Sequence, residues 1–382
     1  MTTQVDPAVS ETGRPSSTAL HDRRAKLLAA LAAQNLDAFL VTHPHNRRYL
    51  SGFTGEDMPP LDTAGVLLVT PQETILLTDS RFDMQAADEF AGGTVRVRGP
   101  RLIESLAEQI RALPVRRLGF EAQHLLYSHY EDLRKALPDV ELVPTRGLID
   151  KQRTVKDAAE LALLRHAVAI SDQAFDEVSA QIRPGMTEQQ VARLIDGRMV
   201  ELGAEGPAFS TIVASGPNAA MPHAIPGERV IGEGEPIVID MGARYHGYNS
   251  DMTRTIILGA PDARFKEIYN IVLRAHLESE AAARSGVSGV AVDAAARDVI
   301  QAAGYGDKFG HGTGHGIGLE VHEGPRAGVA STDESLDANV VISIEPGIYL
   351  PGWGGVRIED LVLLGPDGAE VLTQARKHGY YD

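Results

Sequence analysis

The feature that most constrains this 382-residue chain is a pattern of acids that occurs twice in its second half. In the first copy, Asp240 ends an apolar run, and the chain returns through a glycine-containing turn to Asp251. In the second copy, Glu345 ends an apolar run, and the chain returns to Glu359. Antiparallel strands bring together residues on either side of a turn, so we expect the two acids of each copy to lie close together.

Strand alternation selects one of two neighbouring acids in the second copy. Arg357 and Glu359 share one face of a strand, whereas Asp360 points to the other, so Glu359 is the candidate ligand. Four inward carboxylates repel one another and are forced to bind protons unless cations are present. A pair of divalent cations would remove this repulsion, although an acid at a strand end can also be a solvated turn residue.

A third segment, Gly310–Glu323, concentrates three of the chain's 13 histidines among alternating glycines. They are His311, His315 and His322. Glycine allows close backbone approach, and histidine is the commonest metal ligand. An oxygen-rich set favours Mn²⁺, and one added imidazole also admits Co²⁺, Zn²⁺ or iron. A solvent-exposed loop is the alternative, but apolar residues at every second position from 317 to 321 favour an ordered, strand-like segment.

Composition restricts the class of protein. With 43% apolar and 23% charged residues, the chain is typical of soluble globular proteins. The lack of cysteine excludes disulfides and thiolate metal sites and fits a reducing compartment, so we expect a cytoplasmic protein. A net charge of −16 disfavours nucleic acid and anionic membranes, and no apolar run approaches the roughly 18–20 residues of a membrane span.

We predict a division of the chain near residue 150. Residues 1–19, rich in Ser, Thr, Pro and acids, are expected to be a disordered tail. Residues 20–150 predict an α/β domain, with helices over 21–33, 81–90, 102–113 and 129–137 and strands over 38–41, 66–69, 74–77, 95–97 and 117–120. Residues 151–382 predict an α+β domain, with helices over 158–182, 262–284 and 292–303 and strands over 237–241, 252–258, 340–344 and 356–363. Thr187 and Gln190 form a predicted capping box.

The candidate acids and histidines, together with the residues around them, resemble the corresponding segments of the pita-bread metallopeptidases, the family of prolidase and aminopeptidase P. The matching phrases are Tyr49–Phe53, Ser215–His223, Val238–Gly242, Ser250–Thr255, Gly310–His322 and Glu345–Tyr349. The resemblance runs from about Leu27 to the C-terminus. It implies a pita-bread catalytic domain with two pseudo-twofold halves, which would account for the repeated acid pattern.

The resemblance also implies a site for two divalent metal ions. Its ligands would be Asp240, Asp251, His315, Glu345 and Glu359. Asp240 would chelate one ion, His315 and Glu345 the other, and Asp251 and Glu359 would bridge the two. Water activated by the cations would attack the scissile carbonyl, and Glu345 would take and pass on the proton.

Further residues acquire roles from the same resemblance. His223, His311 and His322 would hold the substrate and stabilise the oxyanion. Arg357 would support a bridging carboxylate. The implied activity is cleavage of the bond before proline in Xaa-Pro dipeptides, and the family implies a homodimer.

Three alternatives remain. The chain could be an Xaa-Pro aminopeptidase acting on longer peptides, a metal-free creatinase-like hydrolase, or a non-catalytic binding protein of the same fold. The five intact ligand positions argue against the last two. Methionine aminopeptidases share the ligands but usually lack a domain such as residues 20–150.

Two arginines bear on the choice between dipeptidase and aminopeptidase. Arg326 stands four residues after His322, as in prolidases whose arginine receives the substrate's free carboxylate. Some aminopeptidase P-like sequences carry a similar string, and an exposed surface arginine is the other interpretation. Arg47 stands where the family usually has an apolar residue. We predict that Arg47 and Arg326 bind a dipeptide's terminal carboxylate, the alternative for Arg47 being a solvent-facing side chain.

Overall fold

A computed structural model of the chain describes residues 13–58, 62–332, 335–377 and 379. These residues form two compact units, one from Gly13 to Arg153 and one that begins at Thr154. The boundary predicted near residue 150 therefore falls within a short helix, Asp150–Thr154, at the end of the first unit. No described helix is both long enough and apolar enough to cross a bilayer.

The N-terminal unit is built on a mixed sheet with the strand order β4-β3-β2-β1-β5-β6. Its strands are β1 (Ala38–Val41), β2 (Gly65–Val69), β3 (Thr74–Thr78), β4 (Thr94–Val97), β5 (Arg117–Glu121) and β6 (Glu141–Thr145). Its helices are α1 (Ser17–Ala33), α2 (Pro44–Ser51), α3 (Asp83–Glu89), α4 (Leu102–Arg111), α5 (Tyr127–Ala136) and α6 (Asp150–Thr154). Strands β1, β2 and β3 are buried along their whole length, as expected for apolar runs in the middle of a covered sheet.

The relative directions of the strands determine which strand ends lie together at one edge of the sheet. Strand β1 pairs in parallel with β5, and β5 pairs in parallel with β6. Strand β2 pairs antiparallel with both β1 and β3, whereas β3 and β4 pair in parallel. The carboxyl ends of β1, β5 and β6 therefore meet at one edge.

The chain becomes ordered earlier than predicted. Helix α1 begins at Ser17, because the hydroxyl of Ser16 accepts a hydrogen bond from the backbone N–H of Ala19 at 3.1 Å. Leu20 is already buried in the core. The prediction of disorder is therefore wrong for residues 17–19, and residues 1–12 of the predicted tail lie outside the described residues.

Three elements of this unit were missed by the sequence patterns. Helix α2 is short and rich in polar residues, with Pro44 in its first turn and Gly52 at φ 77° ending it. Helix α6 has only five residues, all of them polar. Strand β6 is half-exposed and lacks an apolar run. None of the three carries the periodic apolar signal from which the other elements were predicted.

The C-terminal unit contains four long helices and several small sheets in its described part. The helices are α7 (Ala158–Ser179), α8 (Glu188–Glu201), α9 (Ala263–Ala282) and α10 (Gly289–Ala302). The strands are β7 (Gly206–Pro207), β8 (Ile212–Ser215), β9 (Pro236–Met241), β10 (Ala243–Tyr245), β11 (Tyr248–Asn249), β12 (Met252–Ile257), β13 (Gly314–Gly316), β14 (Glu323–Ala327), β15 (Val341–Ile344), β16 (Gly347–Leu350), β17 (Gly354–Arg357), β18 (Asp360–Leu364) and β19 (Ala369–Val371). The sheets have the orders β11-β10-β7, β12-β9-β8, β14-β13-β15-β18-β19 and β16-β17. The predicted capping box of Thr187 and Gln190 is present.

Two of the packed apolar clusters of this unit lie behind the acid-bearing hairpins. Helices α7 and α8 contribute Phe175 and Ile195 to one cluster, which also holds Ile239 of β9. Helices α9 and α10 contribute to the other, in which Tyr269 lies with Val356 of β17. Each acid-bearing hairpin is thus backed by a helix pair.

The strand pairing confirms that both acid-bearing segments are antiparallel. Asp240 pairs with Thr253 in the β9–β12 ladder, and Ile344 pairs with Asp360 in the β15–β18 ladder. The single strand predicted over 356–363 is two strands, because β17 pairs with β16 while β18 pairs with β15 and β19. Glu359 lies in the link between them.

The glycines of the Gly/His segment are required by close backbone contacts. A Cβ atom at Gly314 would lie 1.8 Å from the carbonyl oxygen of Ser343, and one at Gly316 would lie 2.0 Å from that of Gly324. No L side chain fits at such distances unless the backbone of β13 moves. The alternating glycines therefore pack β13 tightly between β14 and β15.

We expect Gly314→Ala to destabilise the metal-free protein by about 1–3 kcal/mol, the usual penalty for overpacking. Thermal unfolding followed by circular dichroism measures this, and the melting temperature should fall by several degrees. Gly310→Ala is the matched control, since a Cβ there meets no atom within 4 Å. Equal melting temperatures for the two variants would contradict the packing argument.

Candidate metal centre

Each of the four predicted acids lies at the end of a strand. Asp240 is the second-last residue of β9, and Asp251 directly precedes β12. Glu345 separates β15 from β16, and Glu359 separates β17 from β18. The register of the two ladders, in which Ile344 faces Asp360, brings these last two acids opposite each other.

The structure gathers the five predicted ligands into two overlapping sets. Donor atoms of Asp240, Asp251 and Glu359 lie within 4.8 Å of one another, as do donor atoms of His315, Glu345 and Glu359. The Nε2 atom of His315 is 3.3 Å from Glu345 Oε1 and 3.7 Å from Asp251 Oδ2. Glu359 belongs to both sets, which is the arrangement of a ligand shared by two ions.

The donor set fits divalent cations. Asp251 is 5% exposed and Glu359 is 2% exposed. Asp240 Oδ1 and Glu359 Oε1 are buried without a hydrogen-bond partner in the described part of the chain. A buried carboxylate oxygen in this state is strongly destabilising unless a cation or proton reaches it.

Electrostatics lead to the same conclusion. Burial raises the pKa of Asp240, and burial together with Glu359 and Asp240 raises the pKa of Asp251 well above its ordinary value. Burial likewise raises the pKa of Glu345 to about 7, and burial with the neighbouring acids raises that of Glu359 well above its ordinary range. Without cations, the centre reduces its charge by holding protons.

His315 is prepared to act as a ligand. Burial, with His322 beside it, lowers the pKa of His315 to about 3, so the imidazole is neutral. Its Nδ1–H donates to the carbonyl oxygen of Gly316 at 3.1 Å, which leaves the lone pair of Nε2 facing Glu345 and Asp251.

Arg357 supports the acids, but in a different way from the one predicted. Its Nη2 donates to Asp240 Oδ2 at 2.5 Å rather than to an acid shared by both sets. Its Nε donates to Thr253 Oγ1 at 2.9 Å, and that hydroxyl donates to Glu359 Oε2 at 2.7 Å. The guanidinium therefore holds Asp240 directly and Glu359 through Thr253.

Tyr349 is a site residue whose role the sequence did not reveal. Its hydroxyl accepts a hydrogen bond from Arg357 Nη1 at 3.1 Å and lies 2.9 Å from His311 Nε2. The other ring nitrogen of His311 donates to Gly312 O at 2.8 Å. Both nitrogens of His311 are therefore engaged by the protein. The only indication in the sequence was that Tyr349 ends the segment Glu345–Tyr349, which resembles the family.

Asp360 is adjacent to Glu359 in sequence and lies in a separate network. Arg254 Nη2 donates to Asp360 Oδ1 at 2.7 Å, and Arg254 Nη1 donates to the carbonyl oxygen of Glu359 at 2.6 Å. Burial alone would raise the pKa of Asp360, but Arg254, His276 and Lys377 lower it well below its ordinary value. Arg254 thus anchors the backbone of Glu359 while Asp360 balances its charge.

A cavity of about 830 Å³ opens over the acids. Of the predicted substrate residues, His223, His311, His322 and Arg326 line it. Its apolar wall is formed by Phe209, Ile212, Ile225, Val321 and Val329. The volume is in the range of small-molecule and short-peptide sites.

Arg47 is not part of this site. Its side chain is fully buried in the N-terminal unit, where Nη2 donates to Gly55 O and Nη1 to Gly65 O, both at 2.5 Å, and Nη1 pairs with Asp57 at 2.9 Å. These contacts occupy the guanidinium. The prediction that Arg47 binds a substrate carboxylate is therefore corrected: Arg47 is a buried structural residue.

Overlapping sets of potential metal ligands lie at the floor of the cavity, and comparisons with known proteins place the chain in a family. The model of metallopeptidase family M24 matches residues 162–366, and that of the creatinase/prolidase N-terminal domain matches residues 23–155. The chain belongs to metallopeptidase family M24. The predicted fold class, an α/β domain followed by a pita-bread domain, is confirmed.

Three relatives illustrate the likeness. An Xaa-Pro dipeptidase from Pyrococcus horikoshii is 34% identical, over 94% of this chain and 98% of the relative. The structure of an Xaa-Pro dipeptidase from Bacillus anthracis has a TM-score of 0.89 at 40% identity, covering 94% of this chain and 99% of that one. The structure of an X-Pro aminopeptidase from Thermotoga maritima has a TM-score of 0.85 at 37% identity, with the same coverage.

We expect Glu345 to lower the stability of the metal-free protein, relative to Glu345→Gln, as the pH rises from about 4.5 to about 7. In that window unfolded Glu345 has released its proton, whereas folded Glu345 retains it, so its contribution to stability falls with rising pH. Burial lowers the pKa of His311 and His315, which contribute in the opposite direction, and the comparison with the variant cancels their effect. The slope is on the order of 1.4 kcal/mol per pH unit for each such group. Urea unfolding of metal-stripped protein at several pH values measures it.

Glu345→Gln is the matched variant for this measurement, since the amide keeps the shape and cannot titrate. The stability of the metal-free wild type relative to this variant should fall through the window. With Mn²⁺ added, this fall should be smaller, because a cation replaces the retained proton. A difference in stability between the two proteins that stays constant through the window would contradict the assignment.

Proposed function

We propose that this protein uses two divalent cations to hydrolyse the peptide bond before proline, acting on Xaa-Pro dipeptides. The observation that carries the proposal is the pair of overlapping ligand sets that share Glu359 beneath a cavity large enough for a short peptide. The names of the relatives support the choice of substrate.

The division of the ligands is part of the proposal. Asp240 would hold one cation, His315 and Glu345 the other, and Asp251 and Glu359 would be shared by both. Glu359 belongs to both sets, and Asp251 also groups with His315, whose Nε2 lies 3.7 Å from Asp251 Oδ2. Mn²⁺ suits this oxygen-rich set best, and the single imidazole also admits Co²⁺ or Zn²⁺. Bound there, the cations would lower the pKa of water toward about 7 and polarise the scissile carbonyl.

Glu345 is the residue placed to move a proton. Its Oε1 lies 3.3 Å from His315 Nε2 and accepts a hydrogen bond from Ser343 Oγ at 3.2 Å, so the carboxylate is held in one orientation. With cations bound, the pKa of Glu345 would be lower, because nearby positive charge favours the carboxylate. Its role therefore rests on its position at the floor of the cavity.

The histidines divide into two kinds. The ring of His322 lies 4.3 Å from that of His315, and His223 lines the same cavity, so both can donate to a carbonyl that becomes negatively charged. His311 is bound by Tyr349 and Gly312 and acts by shaping the wall.

Arg326 is the candidate for reading the length of the substrate. In the β13–β14 ladder it pairs directly with His315, and its side chain lines the cavity. A charge-assisted hydrogen bond from its guanidinium to a free carboxylate would favour a substrate that ends at proline. The alternative is an aminopeptidase acting on longer peptides, which the likeness to the Thermotoga maritima structure supports.

The remaining expectations are part of the same proposal. A cytoplasmic location is supported by the absence of cysteine from the sequence, and a peptide rather than a nucleic acid substrate by the net charge of −16. A homodimer is supported by the resemblance to the prolidase family. We include Mn²⁺ as the preferred ion on the ligand chemistry given above.

We expect Asp251→Ala and Glu359→Ala each to abolish Xaa-Pro hydrolysis and to release at least one cation per chain. Each variant removes an oxygen donor from a set that depends on it. Metal analysis after gel filtration and a dipeptide assay measure both effects. Glu278→Ala, which removes an exposed acid from α9, is the control and should retain ions and activity. Full activity in rigorously metal-free wild type would overturn the proposal.

We expect Arg326→Ala to lower kcat/KM for an Xaa-Pro dipeptide roughly 10- to 100-fold, the equivalent of about 1.5–3 kcal/mol for a charge-assisted hydrogen bond. Hydrolysis of Xaa-Pro-Xaa tripeptides should be nearly unchanged, because their carboxylate lies elsewhere.

Arg284→Ala is the matched control, as this arginine is exposed and does not line the cavity. Equal losses on both substrates would remove the carboxylate-binding role of Arg326. A wild type that prefers the tripeptide would make the protein an aminopeptidase.

A further inference from the structure

A second group of metal-ligating side chains lies in the N-terminal unit. One donor atom from each of His43, His124 and Asp150 lies within 4.8 Å of the other two. The imidazole rings of His43 and His124 stack with their centroids 3.8 Å apart. This group shares no residue with the centre of the C-terminal unit.

The three residues come together because of the sheet topology. His43 lies in the segment after β1, His124 in the turn after β5, and Asp150 in the segment after β6. These strands are parallel neighbours, so their carboxyl ends meet at one edge. Ligands of open α/β sheets characteristically bind outside the carboxyl ends of the strands.

A buried framework fixes the backbone of this edge. Glu121, the last residue of β5, is 6% exposed, and its Oε2 accepts from the N–H groups of Thr42 and His43, each at 2.6 Å. Its Oε1 accepts from Asn46 Nδ2 at 2.7 Å, and the same amide lies 3.4 Å from Asp150 Oδ1. One carboxylate therefore holds the segment carrying His43 and, through Asn46, reaches Asp150.

The donor chemistry selects the kind of ion. Two imidazoles and one carboxylate suit borderline cations such as Zn²⁺ and Co²⁺, whereas the acid-rich centre suits harder ions. Zinc lies about 2.0–2.2 Å from such ligands, so donor atoms on one ion are at most about 4.4 Å apart. The donor atoms would need to approach by a few tenths of an ångström, and the two imidazole rings would need to rotate out of their stack so that both lone pairs point at one ion.

We propose that the N-terminal unit binds one Zn²⁺ or Co²⁺ ion through His43, His124 and Asp150, at the carboxyl edge of β1, β5 and β6. The ion links three segments that follow these strands. Three protein ligands leave a position for water, so the ion would be accessible from solvent on the side of His124, which is exposed.

The test compares metal stoichiometry in full-length variants. Wild type and His124→Ala are dialysed against micromolar Co²⁺, and bound metal is counted per chain. We expect His124→Ala to bind one ion fewer than wild type while retaining Xaa-Pro hydrolysis, because the acid-rich centre is untouched. His21→Ala, which removes an exposed histidine of α1 in the same unit, should bind as many ions as wild type.

Two further measurements keep the outcome unambiguous. Asp150→Asn preserves the size of the side chain and removes its charge, so it should also lose the additional ion. An anomalous difference map from a Co²⁺-soaked crystal should place that ion among the three side chains. Equal stoichiometry in wild type and folded His124→Ala, or an equal loss in His21→Ala, would overturn the proposal and leave the stacked histidines as a packing feature.

Discussion

Mutual repulsion among four buried carboxylates is the constraint on which the C-terminal unit depends. Asp251 and Glu359 are almost inaccessible to solvent, and burial together with the neighbouring acids raises the pKa of both. Arg357 neutralises part of this charge through Asp240. A single guanidinium cannot balance four acids, so the folded unit must take up cations or retain protons. Metal binding and the stability of this unit are therefore coupled. Bound cations would stabilise a group of buried acids that otherwise destabilises the folded state.

Strand register turns this constraint into a defined geometry. The β9–β12 and β15–β18 ladders deliver one pair of acids each, and the change of pairing partner between β17 and β18 turns Glu359 toward the centre. Its neighbour Asp360 is held in an opposite electrostatic environment by Arg254, His276 and Lys377. Adjacent carboxylates therefore serve different purposes: Glu359 belongs to the candidate metal centre, and Asp360 anchors the arginine that fixes the backbone of Glu359.

Strand pairing also connects the candidate metal centre to the residue that we propose binds the substrate carboxylate. Strand β13 carries His315 and is packed so closely against β15 that only glycine fits at position 314. Its other neighbour, β14, places Arg326 directly opposite His315. The candidate ligand His315 and Arg326, which we propose binds the substrate carboxylate, are therefore paired residues on adjacent strands. Such rigid spacing can distinguish a peptide that ends at proline from a longer one.

From local patterns the sequence predicted the four acids, through the repeated hairpin, and the choice of Glu359 over Asp360, through period-two alternation, whereas the resemblance to the family implied His315 and the division of the ligands between two ions. It also predicted most of the helices and strands that carry strong apolar periodicity, but not α2, α6 and β6, which lack it. Only the tertiary structure decided that Arg47 is buried, that Tyr349 joins Arg357 to His311, and that His43 approaches His124 and Asp150. The physical reason is common to all three: each depends on contacts between residues distant in sequence, set by strand order and by which side chains the core encloses, and local patterns carry no record of either.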